Sequence, residues 1–232
     1  MSTIEEISSY DRVRSKAEYE HFYTKSDFRH FGLADKFFIQ TLVKRYQLKE
    51  KFLIDTGSGT GWYSYLFSLC GVRTYSVELS EAGTFVAKGK YNLRSCLVGD
   101  GLALPFPFNS FDVIFCSGFP PFNAEDLSTL STMGHNLFAY LKSGGLFIFH
   151  KTTDLTGSKG SRMNHSLATF EQYFRDIGEG PIVDSFTVSP IFWITLGSLT
   201  LTPTSNKLSQ VFTKLTKLPL RALIIVRKRN DS

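Results

Sequence analysis

Phe52-Leu53-Ile54-Asp55-Thr56-Gly57-Ser58-Gly59-Thr60-Gly61 is the stretch whose reading decides the fold. It begins as a short apolar run, the mark of a buried strand. It then breaks into three glycines at alternate positions, and Trp62 to Leu69 can follow as a helix. Strand, glycine turn and helix together point backbone N–H groups and a positive helix end at a bound ligand. Glycine suits the turn because a side chain would fill the ligand's space and because tight turns often need positive φ. A dinucleotide fingerprint, G-x-G-x-x-G, would need its third glycine where Trp62 stands, so the spacing argues against a pyrophosphate and a nicotinamide dehydrogenase.

Outward from that turn the chain alternates strand and helix, which predicts an α/β fold with a mainly parallel sheet and helices on both faces. Val72 to Val77 reads as a second strand, ending at Glu78-Leu79, and a helix is expected over residues 81–90. An acidic residue at the tip of a second strand is placed to accept hydrogen bonds from ribose hydroxyls. Cys96-Leu97-Val98 is a short third strand, followed by Gly99-Asp100-Gly101-Leu102-Ala103-Leu104-Pro105-Phe106-Pro107. Asn109-Ser110-Phe111-Asp112 leads into the strand 113–116, and Ser117-Gly118-Phe119-Pro120-Pro121-Phe122-Asn123 forms a stiff loop after it. A helix is expected over residues 124–140. A Lys142-Ser143-Gly144-Gly145 turn and the strand 146–149 follow. His150 falls at the emerging end of that strand, and His165 after a Gly- and Ser-rich loop read as a lid. A helix over 166–177, a strand over 182–193 and a last strand over 221–227 complete the pattern.

The run from residue 51 to residue 149 resembles the class I, Rossmann-like S-adenosylmethionine-dependent methyltransferases, small-molecule type. Three separated motifs carry the resemblance: acidic-x-G-x-G-x-G at Asp55 to Gly61, the Gly99-Asp100 to Pro107 run, and the Ser110-Phe111-Asp112 entry to the fourth strand. It implies a seven-stranded sheet, S-adenosyl-L-methionine as methyl donor and S-adenosyl-L-homocysteine as product. It implies cofactor contacts at Asp55, Gly57, Ser58, Gly59, Gly61, Glu78, Leu79, Asp100, Gly101, Ser117 and Gly118. Asp100 would take the adenine amino group, because a carboxylate accepts from an exocyclic amine. The Ser117–Asn123 loop is similar to the Asn-Pro-Pro-aromatic loop of amino-group methyltransferases, but Phe119 stands where that loop has Asn or Asp. That chemistry is therefore not carried over, and Phe119 and Phe122 are expected to face the acceptor cleft.

Residues 1–49 carry no strand pattern and read as a helical cap of one or two helices, packed on the core or lidding the ligand cleft, with Tyr19 and Tyr23 as further substrate-facing candidates. Residues 50–232 form the core in this reading, with an insertion at 196–218. His165 and His150 are the candidate general bases, since an unperturbed imidazole titrates near neutrality. Of 232 residues 42% are hydrophobic and 20% charged, the balance of a soluble globular domain. The net charge is +5, and Lys207, Lys214, Lys217, Arg221, Arg227, Lys228 and Arg229 concentrate it near the C-terminus, where it reads as a solvated face. Three cysteines without ligand spacing, no signal peptide and no spanning segment point to a cytoplasmic protein with no metal and no membrane contact. A small-molecule acceptor is expected. No nucleic-acid module accompanies the core, and the oligomeric state is not legible. The alternatives are a protein or RNA methyltransferase, or a non-catalytic cofactor-binding partner subunit.

Overall fold

The computed structural model describes residues 17, 32–153, 165–188, 201–202, 204, 207–208, 211 and 220–230. The strands are β1 (Phe52–Thr56), β2 (Arg73–Glu78), β3 (Cys96–Val98), β4 (Phe111–Ser117), β5 (Leu141–Thr153), β6 (Ile182–Val188) and β7 (Leu220–Arg227). The helices are α1 (Gly32–Arg45), α2 (Trp62–Leu69), α3 (Glu81–Tyr91), α4 (Ser131–Ala139) and α5 (Leu167–Ile177). One seven-stranded sheet runs in the order β3-β2-β1-β4-β5-β7-β6. All its pairings are parallel except those of β7, which is antiparallel to both β5 and β6.

The central strands are largely apolar because both faces of the sheet are covered. Ile54, Ile114, Cys116, Phe147, Phe149, Ala222, Ile224 and Val226 face one layer, with Leu137 and Phe138 of α4 and Phe170, Tyr173 and Phe174 of α5. The alternate residues Leu53, Val113, Phe115, Leu146, Ile148, Leu223 and Ile225 face the other. There they meet Phe38, Ile39 and Leu42 of α1 and Leu66 and Phe67 of α2. The sheet order reverses between β1 and β4, and ligands of open α/β sheets bind at the carboxyl ends beside such a reversal.

Several elements depart from the sequence reading. The helix expected over 124–140 is split into a 3-10 turn Pro120–Asn123, a second one Leu127–Leu130, and α4. Two prolines start the first, and Asp126 caps the second by accepting from the Ser128 N–H, so the chain tightens before α4 begins. The Lys-Gly-Gly turn is absorbed into β5 as a register shift, where Phe111 pairs with Leu141 but Val113 pairs with Leu146. Of the two placements open for the N-terminal helices, α1 takes the core one: its Phe38, Ile39 and Leu42 are at most 1% exposed. Arg221, read with the solvated basic face, instead reaches the Tyr63 hydroxyl from β7. The lid at 154–164, most of the 196–218 insertion, and Tyr19 and Tyr23 lie outside the described residues.

Candidate active site

The glycine turn leaves β1 at the sheet reversal. Gly57, Gly59 and Gly61 all take positive φ, at 66°, 56° and 77°, which non-glycine residues adopt only with strain. What fills the space above them differs from the expectation. A methyl built on Gly61 would meet Ala87 Cβ at 2.8 Å and Leu93 Cδ1 at 2.7 Å, so that glycine lets α2 and α3 approach each other. A methyl built on Gly57 would stand 2.6 Å from Phe119 Cδ2.

Glu78, at the tip of β2, closes the turn. Its Oε2 accepts from the Gly59 N–H (2.7 Å) and its Oε1 from the Ser80 N–H (3.0 Å). Asp55 lies beneath the turn rather than at its mouth: it is buried and Oδ2 accepts from Ser64 Oγ at 2.6 Å. Burial pushes its pKa to about 7, with the nearby Glu78 charge adding to the rise and the Ser64 hydrogen bond opposing it. Asp55 thus fastens β1 to the first turn of α2. Ser58 Oγ is buried with no hydrogen-bond partner among the described residues. Asp100 Oδ1 accepts from the Leu102 N–H (2.8 Å), and Asp100 is only partly buried. Leu79 is partly buried beside Glu78.

On the far side of the reversal, Ser117 Oγ lies 2.9 Å from His150 Nδ1, and the Gly118 N–H donates to the His150 carbonyl at 2.8 Å. His150 is 2% exposed, with its ring 4.5 Å from Phe38 and 5.9 Å from Tyr63. Burial, and then the Arg221 charge, hold its pKa well below the ordinary value. It is therefore neutral, and Nε2 has no partner among the described residues. His165 sits elsewhere in the loop cluster, 2.6 Å from the Ala124 carbonyl through Nε2. A carbonyl only accepts, so Nε2 carries a proton. Phe122 does not face a cleft: it is 1% exposed among Phe149, Tyr173 and Phe174, because the 3-10 turn rolls it into the core.

Two groups at this edge escaped the sequence reading. Buried Asp35 of α1 accepts from Trp62 Nε1 (2.8 Å) and the Tyr63 hydroxyl (3.1 Å) at the start of α2. Buried Lys151 donates to Asn123 Oδ1 (2.6 Å) and to the Phe119 carbonyl (3.3 Å). The logic that singled out Glu78, a charge directly after an apolar strand, applies equally to Lys151. Among the described residues no cluster of His, Cys, Asp and Glu is arranged to hold a metal, and no helix is long and apolar enough to cross a membrane.

Residues 54–149 match the family described as "Methyltransferase domain". Two curated relatives are malonyl-[acyl-carrier protein] O-methyltransferases. The one from Serratia marcescens is 30% identical over 40% of this chain and 40% of its own length. The one from Erwinia pyrifoliae is 28% identical over 69% of this chain and 56% of its own. The chain thus spans about half the length of these relatives. Burkholderia thailandensis 1,6-didemethyltoxoflavin-N1-methyltransferase, solved with S-adenosylhomocysteine, superimposes with a TM-score of 0.62 at 14% identity, covering 99% of this chain and 92% of that one. Residues 54–149 are thus similar to a methyltransferase domain, and the seven-stranded sheet with its glycine turn has the class I, Rossmann-like methyltransferase fold.

Proposed function

We propose that this chain transfers a methyl group from S-adenosyl-L-methionine to an oxygen or nitrogen of a small molecule, releasing S-adenosyl-L-homocysteine. The observation that carries the reading is Glu78, an acidic residue at the tip of β2 hydrogen-bonded into the glycine turn at the sheet reversal, where a ribose would meet it. Ser58 Oγ, an orphaned buried hydroxyl in the same turn, fits a polar ligand there, since buried polar groups are normally paired. Asp100, Gly101, Leu79, Ser117 and Gly118 complete the proposed cradle.

When bound, the donor supplies an already activated sulfonium methyl group. The chain's part is alignment and exclusion of water. Neutral His150 holds Ser117 at the acceptor side through their 2.9 Å contact. A proton on His150 would sit buried beside the Arg221 charge, so His150 orients Ser117 and is a poor general base. His165, only partly buried, is the better base for an acceptor that must lose a proton. The two relatives named as O-methyltransferases favour oxygen. Their names also favour a second reading, an acceptor borne on a carrier protein.

Calorimetric titration with S-adenosyl-L-homocysteine tests the proposal. Glu78→Gln should weaken binding by roughly 1.5–3 kcal/mol, the scale of a hydrogen bond to a charged group. Binding of a nicotinamide dinucleotide in place of the adenosyl ligand would overturn it. Homocysteine-product release with hydroxyl, carboxylate and amine acceptors, free or carrier-borne, then separates the two acceptor readings.

A further inference from the structure

Phe119 occupies the space the cofactor reading needs. Its ring edge touches two turns at once. A methyl built on Gly57 would meet Cδ2 at 2.6 Å, and one on Gly101 would meet Cε2 at 3.0 Å and Cζ at 3.1 Å. The ring is 6% exposed. Gly57 belongs to the turn beside Glu78, and Gly101 follows Asp100, so the phenyl group spans the gap between the two halves of the proposed cradle. Two groups cannot share that volume in a close-packed interior.

The chain on either side is built for a local movement. Gly118, directly before Phe119, has φ +62°, and a methyl built on it would find no atom within 4 Å. After Phe119 the two prolines and the 3-10 turn Pro120–Asn123 are stiff. Lys151 bridges that turn, holding the Phe119 carbonyl at one end and the Asn123 side chain at the other. Ser58 Oγ, next to Gly57 in the same turn, is buried and has no hydrogen-bond partner among the described residues.

We propose that Phe119 is a gate on the cofactor site, closed in this structure, hinged at Gly118 and latched by Lys151. This rests on the cofactor reading above. Ligand entry requires the ring to leave the two glycines, so only the open fraction of the protein binds. An open fraction of about 1–10% would weaken apparent affinity roughly 10- to 100-fold relative to an ungated site.

Stopped-flow association of S-adenosyl-L-homocysteine, with calorimetry for the equilibrium constant, tests the gate. For the wild type, the observed rate should level off at high ligand as opening becomes limiting. Phe119→Ala should remove the plateau and tighten binding about 10-fold or more, and Lys151→Met should move the plateau upward. Phe119→Leu, which keeps more of the packing, serves where Phe119→Ala melts below the assay temperature. Its plateau should rise. If the Phe119 variants bind more weakly with faster dissociation, the ring is a platform for the ligand and the gate is wrong. Unchanged association kinetics in them also sink it while leaving the cofactor reading intact. Failure of the wild type and every variant to bind overturns both.

Discussion

Asp55 and His150 flank the reversal point of the sheet, and burial moves their pKa values toward the neutral form in both cases. The consequences for stability run in opposite directions. Folded Asp55 titrates near 7 against an ordinary 3.8, so it holds a proton more tightly than the unfolded chain does. Its contribution is fully present below about pH 4 and is lost as pH rises to about 7. Folded His150 titrates well below 6.5, so the unfolded chain takes up a proton that the folded one refuses. Its contribution is present above about pH 6.5 and is lost as pH falls. Asp55→Asn keeps an acceptor for Ser64, and its melting temperature relative to wild type should rise between about pH 4 and pH 7 and level off above that. His150→Gln should lose less stability than wild type between pH 7 and pH 5. Differences that do not vary with pH would mean that packing, not titration, governs these sites. Spacing made Asp55 a candidate ligand contact. Its burial beneath the turn was hidden, because it depends on Ser64 arriving nine positions later on another element.

The first helix is joined to the ligand edge by Asp35. Two donors from the start of α2 converge on its carboxylate, and Arg221 from β7 lies 4.0 Å away while donating to the Tyr63 hydroxyl at 2.7 Å. Three elements far apart in sequence thus meet around one buried charge. Asp35→Asn preserves the shape but turns a charged acceptor into a neutral one. It should cost roughly 1.5–3 kcal/mol in denaturant unfolding, the scale of hydrogen bonds to charged groups. A loss below about 0.5 kcal/mol, ordinary for a surface substitution, would show that the cluster is incidental. The strands were legible from their apolar runs and glycine punctuation, and Ser166 and Gly178 bounded α5 correctly as its caps. The 3-10 turns were not legible. Leu127, Leu130, Leu137 and Leu141 keep a helical spacing, and only the Asp126 capping contact shows that the chain tightens first. The polar network was equally hidden, since Asp35 reads as an ordinary acidic residue in a first helical turn.

At the scale of the whole molecule, the two faces of the sheet show what α1 is: a core layer. The order of strands, the reversal and the two apolar layers follow from alternating segments of the sequence, but the partner of the second layer does not. Residues 1–49 have no strand pattern, and a helix lying over a cleft looks the same in sequence as one lying on a sheet. In the structure Ala34, Phe38, Ile39, Leu42 and Leu48 cover Leu53, Phe67, Val113, Phe115 and Ile148. All ten are at most 1% exposed. A detachable cap would be dispensable for folding, whereas a layer is not. Leu42→Ala should cost about 2–5 kcal/mol, as a truncation in a packed core does. That is a large share of the roughly 5–15 kcal/mol that holds a domain together. A chain starting at Glu50 should accordingly show no cooperative thermal transition by circular dichroism and should expose apolar surface to a hydrophobic dye. A sharp melt close to that of the full chain would establish that the sheet and its remaining helices stand alone, and that α1 only lies over the site.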